Sequence, residues 1–219
     1  ENAVALTRKP AANYMALGVI TVSDCAFETN TAKATSPARG GSAIYGAQVV
    51  VSGSTFIGNR STAASAGGGA IRTTTGSITN SVFIDNAAPG TNSSGGAVTA
   101  SGAFTITGST FIGNASGSYG GAVVAASATS AVLTITSSEF FGNRSTVASA
   151  GGGAVWADQA ITLDQDYFEA NTSASQLAGA VGLNNINYTL SVRRSEFVDN
   201  VATGTGQDGG GALWATGPI

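Results

Sequence analysis

Short bursts of strict alternation run through this chain. Phe104-Thr105-Ile106-Thr107 and Leu133-Thr134-Ile135-Thr136 carry an apolar residue at every second position, so one face of an extended strand is buried and the other is solvated. Five residues after the second apolar position of each burst stands a Phe, and three residues after that an Asn. The pairs are Phe27/Asn30, Phe56/Asn59, Phe83/Asn86, Phe111/Asn114, Phe140/Asn143, Phe168/Asn171 and Phe197/Asn200. Successive Phe spacings are 29, 27, 28, 29, 28 and 29 residues. Aligned on the Phe, the position five before it holds Val22, Val51, Ile78, Ile106, Ile135, Leu163 or Val192. The position seven before holds Ile20, Val49, Gly76, Phe104, Leu133, Ile161 or Leu190.

A second series occupies the other half of each unit. It reads Gly68-Gly69-Ala70-Ile71, Gly95-Gly96-Ala97-Val98, Gly120-Gly121-Ala122-Val123, Gly152-Gly153-Ala154-Val155 and Gly210-Gly211-Ala212-Leu213, with looser copies at Gly41-Ser42-Ala43-Ile44 and Ala178-Gly179-Ala180-Val181. Each unit therefore holds three short extended pieces separated by Gly, Ser, Asn and Thr turns, and no 3.6-residue period appears. A fixed period of this length means a solenoid. Leu is too scarce, and each unit too short of room for a helix, to suit a leucine-rich repeat. The pattern predicts an all-β fold, a right-handed parallel β-helix of seven coils with about 28 residues per coil over residues 18–219, preceded by an N-terminal cap or docking arm at 1–17. Coils stack about 4.8 Å apart. Phe is expected on Phe inside, with the Asn side-chain amides laddered at a bend.

Composition narrows function. The 219 residues include 31 Gly, no His and one Cys, 10% are charged, and the net charge is −3. Nine scattered cations argue against nucleic acid, which demands clustered Lys and Arg. No apolar run is long enough to span a bilayer as a helix, and neither a cofactor motif nor a metal-ligand cluster is present. Gly204-x-Gly206-x-x-Gly209 matches the dinucleotide fingerprint only as a string, lying in a repeat turn with no helix to follow. Cys25 occupies the column two before the Phe that otherwise holds Ser54, Ser81, Ser109, Ser138, Asp166 and Ser195, and it lacks any His to activate it.

Phe-x-x-Asn alternating with Gly-Gly-Ala-aliphatic, in seven copies, resembles the repeats of the chlamydial polymorphic outer membrane proteins, which also occur in secreted or surface proteins of other bacteria. The resemblance covers about residues 18–219. It implies the β-helical passenger of an autotransporter, outer-membrane associated, extracellular and adhesive towards a cell-surface receptor, with the Phe and Asn columns as its repeat motif. No barrel strands follow, so any anchor is expected outside this chain. The alternatives are a structural subunit stacking end to end into a filament, since the chain stops part-way through an eighth unit, and a polysaccharide-binding or polysaccharide-degrading β-helix.

For the enzyme alternative the carboxylates are Asp164 and Asp166. The column of Asp164 is solvent-facing, and the next coil sets Arg193 beside it, so a surface ion pair is expected and no catalytic role is assigned. Tyr119, Trp156, Tyr188 and Trp214 are candidates to stack on sugars. Asn59, Asn114, Asn143 and Asn171 lie in Asn-x-Ser/Thr triplets but are expected to be laddered and inaccessible, whereas Asn92 and Asn187 fall in variable turns. The Ser/Thr positions six and four before the Phe suggest a hydroxyl-rich face of the ice-binding kind, interrupted by Val50, Asp164 and Arg193; an ordinary solvated face is the simpler reading. Recognition is expected in the turns, which differ in length. The spacing from the aliphatic after Ala to the next strand's aliphatic runs 7, 7, 8, 12, 8 and 11 residues, longest around 125–130 and 184–188.

Overall fold

The computed structural model describes residues 18–33, 41–62, 67–126, 131–148, 151–175, 177–205 and 209–219. The expected N-terminal cap at 1–17 lies outside the described residues. Within them the chain is all β, without a helix long and apolar enough to cross a membrane. It is a parallel β-helix. Three sheets run along it: one of twelve strands and two of seven, with every pairing parallel. In each turn the chain passes through the broad sheet, rounds a corner into a three-residue strand centred on the Phe, rounds a second corner into a two-residue strand, and returns through a longer turn.

The repeat columns are the register. Val22 pairs with Val51, Val51 with Ile78, Ile78 with Ile106, Ile106 with Ile135, Ile135 with Leu163 and Leu163 with Val192. The Phe strands pair Phe on Phe from Phe27 to Phe197, seven rungs with six full turns between the first ring and the last.

The strand count departs from three per coil. In two early turns the stretch from the Gly-Gly-Ala series to the alternating burst is one nine-residue strand, Ile44–Ser52 or Ile71–Thr79. Beyond Ile71–Thr79 the same stretch divides, first as Val98–Ala100 and Phe104–Thr107, then as Val123–Ala125 and Val132–Thr136. The broad sheet therefore forks. The cause is a phase slip. Seven residues separate Ile44 from Val51, an odd number, yet both are buried; two successive residues, Ala47 and Gln48, point away from the core and the register skips Ala47. Gly46 pairs with Thr73 and Gln48 with Thr75, so both coils carry the same break in alternation and neither holds an extra residue. Where the spacing grows from seven to between eight and twelve, this break opens into a turn.

The core is a stack. Neighbouring Phe rings lie 4.6–4.9 Å apart with planes within 6° of parallel, and Phe56, Phe83, Phe111, Phe140 and Phe168 are fully buried. Two conformational demands explain the Gly-Gly-Ala series. The first Gly has positive φ in five coils (Gly41, Gly68, Gly95, Gly120 and Gly152). The second is a point of contact between coils, where a Cβ at Gly69, Gly96, Gly121, Gly153 or Gly179 would run into the backbone carbonyl of the next coil.

Both corners that flank the Phe strand also use left-handed backbone. Three residues before each Phe stand Asp24, Gly53, Asn80, Gly108, Ser137, Gln165 and Arg194; two after stand Thr29, Gly58, Asp85, Gly113, Gly142, Ala170 and Asp199. All fourteen have φ between +47° and +62°.

Candidate functional site: ladders, outer faces and turns

The Asn column is a continuous amide ladder inside the second corner. Asn86 shows its interior form. Its Oδ1 accepts from the backbone N–H of Asn59 (3.0 Å) and from Asn59 Nδ2 (2.9 Å). Its Nδ2 donates to Phe56 O (2.9 Å) and Asn114 Oδ1 (3.0 Å). All four hydrogen-bonding valences of the amide are filled without water. The same set recurs at Asn59, Asn114, Asn143 and Asn171, each fully buried. Amide-to-amide donation always runs towards the C-terminal coil, while the second Nδ2 hydrogen goes back to the Phe carbonyl of the preceding coil. Asn30 and Asn200 complete the column with fewer bonds. Burial removes Asn59, Asn114, Asn143 and Asn171 from enzymatic reach, while Asn92 and Asn187 are exposed.

A second ladder fills the first corner. The backbone N–H of Ser54 donates to Ser81 Oγ, that of Ser81 to Ser109 Oγ and that of Ser109 to Ser138 Oγ, at 3.1–3.2 Å, while each hydroxyl donates to the carbonyl two residues earlier. Cys25 sits at the first rung, its N–H on Ser54 Oγ and its thiol on Ser23 O.

Asp166 replaces Ser in the sixth rung and is 2% exposed. Its Oδ1 accepts from the N–H of Ser138 (2.9 Å) and its Oδ2 from the N–H of Asp164 (3.0 Å). Burial outweighs those two donors, and the neighbouring charge of Asp164 adds to it, so the carboxyl is pushed up to about 6. Asp164 itself is tied down outside, where Arg194 reaches it through Nε (2.9 Å) and Nη2 (2.6 Å) and holds its carboxyl below the usual range. The partner is thus Arg194 and not Arg193. Arg193 pairs with Asp164 in register, but the left-handed corner at Arg194 turns the next side chain back along the rod. One carboxylate is thus buried in a ladder and the other held in a surface ion pair.

The aromatic candidates do not make one sugar platform. Trp156 is 2% exposed. Tyr119 stacks on it at 4.7 Å and Trp214 at 5.8 Å. Trp214 lies two rungs away, across Gly182, where a Cβ would strike the Trp156 ring. The absence of a side chain at Gly182 is what lets the two indoles meet. Tyr188 packs against the hydrophobic core instead. Of the two long turns singled out, residues 127–130 lie outside the described set, as do 206–208 of the Gly-x-Gly-x-x-Gly string. The turn after Val181–Leu183 is described and places Ile186 71% exposed.

The outer faces differ in chemistry. The broad sheet presents aligned hydroxyls, with Ser77 beside Thr105, Thr105 beside Thr134 and Thr134 beside Thr162. The outer face of the Phe sheet escaped the sequence reading. One residue after the Phe it carries Ile57, Ile84, Ile112 and Phe141 on successive rungs. Next to them Glu139, Tyr167 and Glu196 are in register, as are Phe141, Glu169 and Val198. The signal lay in the column following the Phe, which was read only for its inward neighbours.

No protein family, no curated protein and no solved structure matches the chain.

Proposed function

We propose that this chain is a rigid rod segment of an extracellular bacterial surface protein, adhesive or architectural, that presents variable turns from a regular column. The observation that carries the reading is the division of labour within each coil. The ladder and stack positions repeat rung after rung with their hydrogen bonds filled internally, while the spacing between Asn and the Gly-Gly-Ala aliphatic varies from 9 to 14 residues. Recognition built on such a scaffold belongs in the turns. The resemblance of the two tetrapeptides to surface-passenger repeats supports the same placement outside the cell.

The test is binding of the fluorescently labelled chain to cultured cells and to a glycan array, beside a variant in which 184–187 is cut to a two-residue Asn-Gly turn and the core-packed Tyr188 is kept. Saturable binding that the shortened variant loses supports an adhesive role for the turns. Absence of binding to either leaves only the architectural half.

A second reading, end-to-end stacking, has one observation in its favour. Between ladder amides, each Oδ1 accepts from the N-terminal neighbour and each Nδ2 donates to the C-terminal one, so translating one copy along the axis would set Asn200 Nδ2 against Asn30 Oδ1. Sedimentation velocity over a concentration series, with negative-stain images of the same samples, separates the two readings. Rods of uniform width that lengthen with concentration would establish stacking, and a concentration-independent monomer would remove it.

A further inference from the structure

The outer face of the Phe sheet combines a row of apolar side chains with carboxylates. Its central rungs carry Ile57, Ile84, Ile112 and Phe141 in one row. Ile112 is 38% exposed and its row-mates are half-buried. A solvated strand face more often carries polar residues, as the broad sheet does, and clustered exposed apolar side chains mark interaction sites.

The charges on this face have one sign. Glu139, Glu169 and Glu196 alternate with aromatic and aliphatic residues over three rungs, in a checkerboard set by the register Glu139–Tyr167–Glu196 and Phe141–Glu169–Val198. Glu28 lies at the opposite end of the same sheet. Neither Lys nor Arg stands on these seven strands. The sole ion pair among the described residues joins Arg194 to Asp164, so that nearby guanidinium is already committed. Phe141 and Tyr167 lie 5.6 Å apart, tilted by 51°, and the Tyr167 hydroxyl donates to Glu169 Oε2 at 3.1 Å. Its phenol is raised, by desolvation first and then by Glu169, Glu196 and Asp199.

We propose that this face docks a cationic, apolar segment of another protein, with an Arg or Lys held over Phe141 and Tyr167 among Glu139, Glu169 and Glu196, and aliphatic side chains laid along Ile57, Ile84 and Ile112. Aromatic faces beside carboxylates suit a guanidinium or ammonium through cation–π attraction and charge-assisted hydrogen bonds. The same carboxylates repel an anionic glycan, and they repel a second copy of this face. The site goes beyond the scaffold reading and stands even if the turns bind nothing.

The probe is a fluorescein-labelled twelve-residue peptide alternating Arg with Leu, titrated by anisotropy with the full chain. Its controls replace Arg by Glu in one peptide and Leu by Ser in the other. The Arg–Leu peptide is expected to bind and both controls to bind at least about tenfold more weakly. A combined Glu139→Gln, Glu169→Gln and Glu196→Gln variant should lose about tenfold in affinity and flatten its salt dependence. Ile112→Ser with Phe141→Ser should weaken binding similarly, the hydroxyl of Thr110 showing that a polar residue is accepted on this outer face. Thr134→Glu, on the broad sheet, should change nothing. Equal binding by the Arg–Ser peptide, unchanged binding by either face variant, or no binding of the Arg–Leu peptide at 100-micromolar chain (about the weakest affinity worth calling specific) overturns the proposal.

Discussion

Asn114 does four jobs at once, and its removal shows what a ladder residue is worth. Ala in its place strips Oδ1 from the Asn86 N–H and Asn86 Nδ2, and strips Nδ2 from Phe83 O and Asn143 Oδ1. Several buried groups then lack partners, and the expected loss is roughly 2–4 kcal/mol. A denaturation midpoint unmoved by Asn114→Ala would contradict the ladder. Asp166 makes the opposite case. Its folded carboxyl is raised to about 6, above the unfolded value near ~3.9, so the folded state holds the proton more tightly. The stability this brings is complete below about pH 4 and is lost as pH rises through about 6. Asp166→Ser restores the column residue, and should stabilise the rod at pH 7.5 by on the order of 2–3 kcal/mol while flattening the stability profile between pH 4 and 6. A parent chain with a flat profile over that range would show that Asp166 is solvated. Residues of this kind were legible in the sequence, because a column makes each exception visible: Cys25 and Asp166 stand out against Ser. The pairing of Asp164 was legible only to within one residue, since register places Arg193 beside it and the corner geometry delivers Arg194.

The fourteen left-handed corners belong to the scale of the element, and the sequence hid them. Their occupants are Gly five times, Asp three times, and otherwise Asn, Ser, Thr, Gln, Ala and Arg. Only the Gly, Asn and Asp share hints at positive φ, because side chains of the other types tolerate it reluctantly. The ladders on the inner side of each corner hold these residues in place. Ala170 has neither a short polar side chain nor the freedom of Gly, at φ +52°. Ala170→Gly should therefore raise stability by about 1 kcal/mol, seen as a higher melting temperature. A lower one would mean that the corner is not strained. The fork in the broad sheet was equally hidden. Three extended pieces per unit were legible from turn residues, but the slip at Ala47 keeps Ile44–Ser52 continuous, and a period-2 reading breaks at such a point.

For the whole molecule, the sequence supplied the fold through one number, the repeat length, because like columns must stack when each coil is one period. It was less informative about surfaces. Tyr119, Trp156 and Trp214 read as projecting aromatics, yet they close on one another across the gap at Gly182. Contacts of that kind depend on which side chain is missing a rung away, and a single repeat does not reveal it. The Phe-sheet face reads clearly once seven rungs are set side by side, since its acidic and apolar members are distant in sequence and adjacent in space.

The bonds of all three sheets, and of both ladders, run along the rod from one coil to the next. A load applied between the two ends is therefore carried in series through every coil boundary, and the weakest gives way first, the others following one by one. Each coil that gives way exchanges a rise of about 4.8 Å for some 28 residues of extended chain, a gain of about 90 Å. Pulled by its ends in an optical trap, the chain should lengthen in a sawtooth of near-equal steps of that size, whereas a load applied across the coils would have to shear many rungs at once and should meet far greater resistance.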